Sequence, residues 1–138
     1  MKEVVGLISD IFTIAASTIV IYLFFTQKDK IISAINVLLN YSFNLTINEL
    51  RYKLERLNDY NANEKEHLPI ILNILSDIQG QLKGNNILKK QFIEIIVKIQ
   101  EYIDAPKTLT EPRKRTLVSE LREALRGVDI SNYKKITN

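Results

Sequence analysis

Arg115, Ser119, Arg122 and Arg126 recur at intervals of four, three and four, which on a helix lines three guanidinium groups and one hydroxyl along a single face. Arg113 and Lys114 precede them in what reads as a first helical turn, behind Thr110, Glu111 and Pro112, where free backbone N–H groups also favour an anion. Guanidinium forks take phosphate oxygens in pairs, and a serine hydroxyl adds a further donor. Arg113, Lys114, Arg115, Ser119, Arg122 and Arg126 are therefore the candidate phosphate-binding set. Two other readings stay open: a solvated face with Glu120 and Glu123 nearby, or a patch resting on anionic lipid headgroups. The stretch from Lys107 to Asn138 holds eight Lys/Arg against four Asp/Glu, so an anionic partner should meet this end. A long nucleic acid is not expected, because the stripe is short and has no interleaved aromatics to stack bases.

Catalytic chemistry has little to work with. The chain has no cysteine, which removes thiolate nucleophiles, disulfides and cysteine zinc sites, and its one histidine, His67, lies among Glu64, Lys65 and Glu66 at a helix start. No Gly-rich phosphate loop and no nucleophile with a matching histidine are present. The expectation is a protein that is not an enzyme, with no cofactor and no metal.

A second constellation lies near the start. Gly6, Asp10, Thr13 and Ser17 recur at four, three and four inside an otherwise apolar run, flanked by Ser9 and Ala16. Small and hydroxyl residues on one stripe let helices approach closely in lipid, and an ionisable group there faces a bundle interior or water. The stripe either packs helices, with Asp10 near the headgroups, or lines a polar path with a ring of acidic groups that favours cations. Both readings require an oligomer.

These stripes need elements to hold them. Val4 to Thr26 is 23 residues with one charge, Asp10, enough at about 1.5 Å per residue to cross a hydrocarbon core of about 30 Å. Tyr22, Phe24 and Phe25 form an aromatic end against Lys28, Asp29 and Lys30, the order of a membrane interface. Residues 1–27 are thus read as a transmembrane helix in contact with membrane lipid. Lys28 and Lys30 bias it to an inner-membrane topology with the N-terminus out and the C-terminal domain cytoplasmic. Residues 28–45, with Asn36, Asn40 and Asn44 in a row on one side, are read as a juxtamembrane amphipathic helix or stalk, a surface-lying helix, or a re-entrant element.

From 46 to 130 the pattern is helical throughout, with no strand. Thr46 and Glu49 have capping-box spacing before Ile47, Leu50, Leu54 and Leu57. Asn63 and Glu66 repeat that signature before Leu68, Ile71, Leu75, Ile78 and Leu82, and Gly84 closes the segment. Leu88, Phe92, Ile95, Ile99 and Tyr102 mark another helix, ended by Asp104-Ala105-Pro106. The last buries Leu117, Leu121 and Leu125 and is expected to close at Gly127, leaving 131–138 as a polar tail. The fold class is all-α: one transmembrane helix followed by a small cytosolic bundle of three to five helices, which gains stability by oligomerising.

As a layout spanning the whole chain, this resembles the small membrane-anchored effectors of prokaryotic antiviral defence, among them CRISPR-associated membrane proteins gated by cyclic oligoadenylate. The resemblance rests on architecture and on no motif, so no binding residue is carried over from it. It implies a homo-oligomeric effector whose cytosolic domain senses a cyclic oligonucleotide, a ligand whose symmetric phosphates a ring of Arg115, Arg122 and Arg126 could grip. Two alternatives stand beside it: a single-pass adaptor that docks a partner protein, and a holin-like permeabilising protein without a ligand.

Overall fold

A computed structural model describes the backbone of residues 1–136 and the side chains of residues 1–128. Its described residues contain no strand. The helices are α1 (Lys2–Arg56), α2 (Leu68–Gly84), α3 (Asn86–Gln91), α4 (Ile93–Asp104) and α5 (Glu111–Ile136), with single 3-10 turns at Leu57–Asp59 and Pro106–Thr108. The chain divides into two compact units, Met1–Phe43 and Asn44–Asn138.

α1 runs 55 residues without interruption. No glycine or proline lies between Gly6 and Pro69, so nothing frees a backbone donor or forces a turn. The expected helix start at Thr46 is therefore corrected: Thr46 sits inside α1, in helical backbone rather than the extended conformation a cap requires.

In the first unit every side chain from Met1 to Ser42 is exposed. Among the described residues one helix is long and apolar enough to cross a membrane; its most apolar window has a mean hydropathy of 2.1, with none of that window buried. Four hydroxyls on this helix donate to its own carbonyls, Thr13 to Ser9 (2.9 Å), Ser17 to Thr13 (2.8 Å), Thr18 to Ile14 (2.8 Å) and Thr26 to Tyr22 (2.9 Å). Each of these four donors is thereby satisfied without water, the condition for such a residue to sit in hydrocarbon at modest cost.

The second unit is a small helical bundle built on one apolar core. α1 contributes Ile47, Leu50 and Leu54; α2 contributes Ile71, Leu75, Ile78 and Leu82; Leu88, Phe92, Ile95 and Ile99 follow; α5 contributes Leu117, Val118, Leu121 and Leu125. The three-and-four spacing of these residues makes each helix bury one stripe. Inside the core Gln79 donates to the Ile96 carbonyl (3.1 Å) and to Gln100 Oε1 (3.0 Å), tying α2 to α4.

Three local expectations are also corrected. Asn63 does not cap α2, whose N-cap is His67 with no side-chain bond; its Oδ1 instead accepts the Glu111 N–H (3.1 Å) at the start of α5. The helix expected from Leu88 to Tyr102 is two. Asn85 caps α3 by accepting from Ile87 and Leu88 (3.0 and 3.2 Å), and α3 ends at Phe92, whose φ of −108° and ψ of 21° leave the helical region. Finally, α5 passes through Gly127 to Ile136, because one glycine costs a helix only about 1 kcal/mol relative to alanine and no proline follows.

Candidate functional site

The basic stripe lies on α5, and the structure gives each arginine a partner from its own chain. Arg115 Nε donates to Glu111 Oε1 at 3.1 Å, Arg126 Nη1 to Glu123 Oε2 at 3.1 Å, and Arg122 Nη2 to Glu55 Oε1 at 2.9 Å across to α1. Arg113 Nη1 donates to the Thr108 carbonyl at 2.9 Å. Arg113, Arg115, Ser119, Arg122 and Arg126 are all exposed; Arg115, Ser119, Arg122 and Arg126 share one face of α5 by their spacing, whereas Arg113 lies on another side and lines a cleft with Lys98 and Glu120. The nearest acidic groups already neutralise three of the four guanidinium groups.

Lys114 is elsewhere. Its side chain is 1% exposed and its Nζ donates to the Leu57 carbonyl (2.8 Å), to the Tyr60 carbonyl, and to Glu111 Oε2 (3.1 Å). Three donors meet three acceptors, so the ammonium is satisfied inside the bundle and does not face solvent. The position is legible in the sequence after the fact, since Lys114 extends the Leu117–Leu121–Leu125 seam by three residues toward the helix start. The partners are backbone carbonyls of a turn 54 and 57 residues earlier, and no side-chain pattern announces those.

Glu111 is the hub of this cluster. Its Oε2 accepts the Ala62 N–H (2.8 Å) and the Lys114 ammonium, while Oε1 accepts from Arg115. Burial by itself would raise this carboxyl, but the Ala62 N–H and then Lys114 and Arg115 outweigh it and hold the group below the usual carboxylate range. With Asn63 bonded to the first N–H of α5 and Glu111 occupying the first turn, the helix N-terminus already has its anion. The cluster joins the 57–63 turns to α5.

A second polar contact joins α4 and α5. Lys98 Nζ donates to both oxygens of Glu120 (2.9 and 2.7 Å), and this bond, opposed by desolvation, raises the lysine above its ordinary range. The pair borders a cleft of about 280 Å³ lined also by Glu101, Tyr102, Arg113 and Thr116. It holds two cations, Lys98 and Arg113, and two carboxylates, Glu101 and Glu120, of which Lys98 and Glu120 are paired.

His67 orders a turn. Its Nδ1 accepts the Asn61 N–H (3.1 Å), its ring stands edge-on to Tyr60 with centroids 5.4 Å apart, and Glu64 Oε2 lies 3.0 Å from the same nitrogen. One nitrogen cannot accept from Asn61 and donate to Glu64 at the same time, so the two contacts are alternatives. Among the described residues no three or more His, Cys, Asp or Glu side chains converge on a metal position.

Gly6, Asp10, Thr13 and Ser17 fall on one face of unbroken α1, all exposed. Asp10 has no hydrogen-bond or ion-pair partner among the described residues, and a methyl placed at Gly6 meets nothing within 4 Å. No protein-family model, no curated protein and no solved structure matches this chain.

Proposed function

We propose that this chain is a non-enzymatic, single-pass membrane protein that holds its helical domain at the cytoplasmic face and acts by presenting that domain to a partner protein. The observation carrying this reading is the side-chain distribution of α1. From Val4 to Phe25 its large apolar residues are 45–73% exposed, a continuous apolar surface that water disfavours and lipid accommodates. Further along the same helix, Ile47, Leu50 and Leu54 are core residues of the bundle. Lys28 and Lys30 mark the cytoplasmic side of the inner membrane in this reading. The test is partner capture with the full chain in membranes: Arg122→Glu/Arg126→Glu should leave membrane retention unchanged, and an adaptor should still recruit its partner after Asp10→Ala.

A second reading keeps the oligomeric effector, in which a phosphate-bearing ligand such as a cyclic oligonucleotide binds the arginine stripe and reorganises the membrane helices. It is favoured by one feature: Arg122–Glu55 and Arg126–Glu123 are exposed pairs, worth about 0–1 kcal/mol each, so a phosphate could displace the carboxylates at little cost. Loss of ligand response in Arg122→Glu/Arg126→Glu would support it, and retention would remove it.

A further inference from the structure

The connector between α1 and α2 is held from two sides. From α5, the Lys114 ammonium donates to the Leu57 and Tyr60 carbonyls, Glu111 Oε2 accepts the Ala62 N–H (2.8 Å), and the Glu111 N–H donates back to Asn63 Oδ1 (3.1 Å). From the start of α2, His67 Nδ1 accepts the Asn61 N–H at 3.1 Å.

The same nitrogen lies 3.0 Å from Glu64 Oε2. A backbone donor and an anionic acceptor thus converge on one atom that can serve only one of them. In the neutral ring with its proton on Nε2, the Nδ1 lone pair takes the Asn61 N–H and faces the carboxylate repulsively. In the imidazolium, Nδ1–H donates to Glu64 and meets the Asn61 N–H donor to donor. Each protonation state satisfies one neighbour and opposes the other, so the proton has a differential effect on the two arrangements.

The surroundings leave that choice to the ring. The His67 side chain is 31% exposed, within reach of solvent protons. Its own turn brings Glu64, Lys65, Glu66 and Tyr60, whose ring stands edge-on at 5.4 Å, and the 3-10 turn before it ends in Asp59. α5 brings Glu111 and Lys114, paired with each other at 3.1 Å and bonded to the Ala62 N–H and the Tyr60 carbonyl. Residues 68–75, at the start of α2, carry no charged side chain. A cation at this helix start opposes the helix dipole, and Glu64 is the group placed to offset it. Imidazole is the side chain whose ordinary charge change falls between about pH 5 and about pH 8. His67 is the only histidine and the chain has no cysteine. Glu111 is held below the usual carboxylate range, so it remains an anion throughout that window and keeps its grip on Ala62.

We infer that His67 is a proton-operated switch in the α1–α2 connector: neutral, it anchors the Asn61 N–H; protonated, it releases that N–H and pairs with Glu64. Ala62 and Asn63 stay tied to α5 in both states. The exchange is therefore confined to the peptide joining Tyr60 and Asn61 and to the imidazole itself, and the bundle remains folded. Neither state calls on α1 crossing a membrane.

Nuclear magnetic resonance of the full 15N-labelled chain in mild detergent, titrated from about pH 8 to about pH 5, reads both partners. With one histidine in the chain, the ring signals belong to His67. The Asn61 amide proton should shift with the same midpoint as the ring. Its protection against solvent exchange, corrected for the intrinsic pH dependence, should fall at least about five-fold in the acid form. His67→Asn places an amide oxygen near the Nδ1 position and does not titrate, so its Asn61 amide should stay fixed across the range. Glu64→Gln removes the anionic partner of the acid form, so its His67 ring should titrate at lower pH than in the parent. An Asn61 amide that stays still while the ring titrates, one that moves as far in His67→Asn as in the parent, or a ring midpoint unchanged in Glu64→Gln would overturn the inference. Should His67→Asn fail to fold, the parent and Glu64→Gln titrations decide the question by themselves.

Discussion

Replacing Lys114 by methionine keeps the aliphatic length of the side chain and removes only the charge and its three donors. In the folded bundle this leaves the Leu57 and Tyr60 carbonyls short of a donor and the carboxylate of Glu111 without its ammonium, at a position 1% exposed. Breaking a buried ion pair by removing one partner costs about 3–5 kcal/mol. Here Glu111 keeps Ala62 and Arg115, and methionine preserves the packing, so the expected loss is near the lower end, about 3 kcal/mol. For a unit of this size that lowers the melting temperature by roughly 12–24 °C. Arg115→Ala is the internal control: its guanidinium is 76% exposed, and loss of a surface pair should cost under about 0.5 kcal/mol. The assay is urea unfolding of the intact protein in mild detergent, followed by far-UV circular dichroism. A Lys114→Met variant within about 0.5 kcal/mol of the parent would refute the buried-cluster reasoning and return Lys114 to the surface stripe.

The same cluster gives a pH dependence. Glu111 is held below its ordinary value of 4.5 in the folded protein, so its contribution is fully present above that value and is lost as pH falls through the depressed one. Unfolding free energy should therefore fall on acidification below about 4.5, and Glu111→Gln should flatten part of that slope in pH-resolved urea melts. Asn85→Ala removes the acceptor for two α3 donors and should cost about 0.5–2 kcal/mol by the same assay. Leu54→Ala, in the core at 1% exposure, should cost about 2–5 kcal/mol. Residues 1–45 expressed alone should be inert to growth, whereas toxicity of that fragment would favour the permeabilising alternative.

The sequence carries the helices better than it carries their ends. Apolar residues at three-and-four spacing identify the buried stripes of α2, α4 and α5, because amphipathic periodicity is a direct image of burial. Boundaries fail where a local signal has a remote partner: Asn63 looks like a cap for the helix that follows it and instead caps α5, 48 residues later. The Phe92 break has no glycine or proline to announce it, and Gly127 announces an end that does not occur. On the candidate stripe, spacing alone places Arg115, Ser119, Arg122 and Arg126 on one face, yet the neutralising partner of Arg122 is Glu55, 67 residues away, a pairing that only the packed bundle creates. Lys114 shows the same limit, since a lysine in a basic run reads as solvated until its carbonyl partners are in place.

The proposed function of this chain depends on α1 crossing a membrane with the bundle on the cytoplasmic side, and substituted-cysteine labelling in intact cells tests that most directly. Against the cysteine-free background, Lys2→Cys should react with a membrane-impermeant maleimide from outside, while Lys65→Cys should react only after the cells are opened. Labelling of both or neither in intact cells, or of Lys65→Cys alone, would contradict a single span with the N-terminus out.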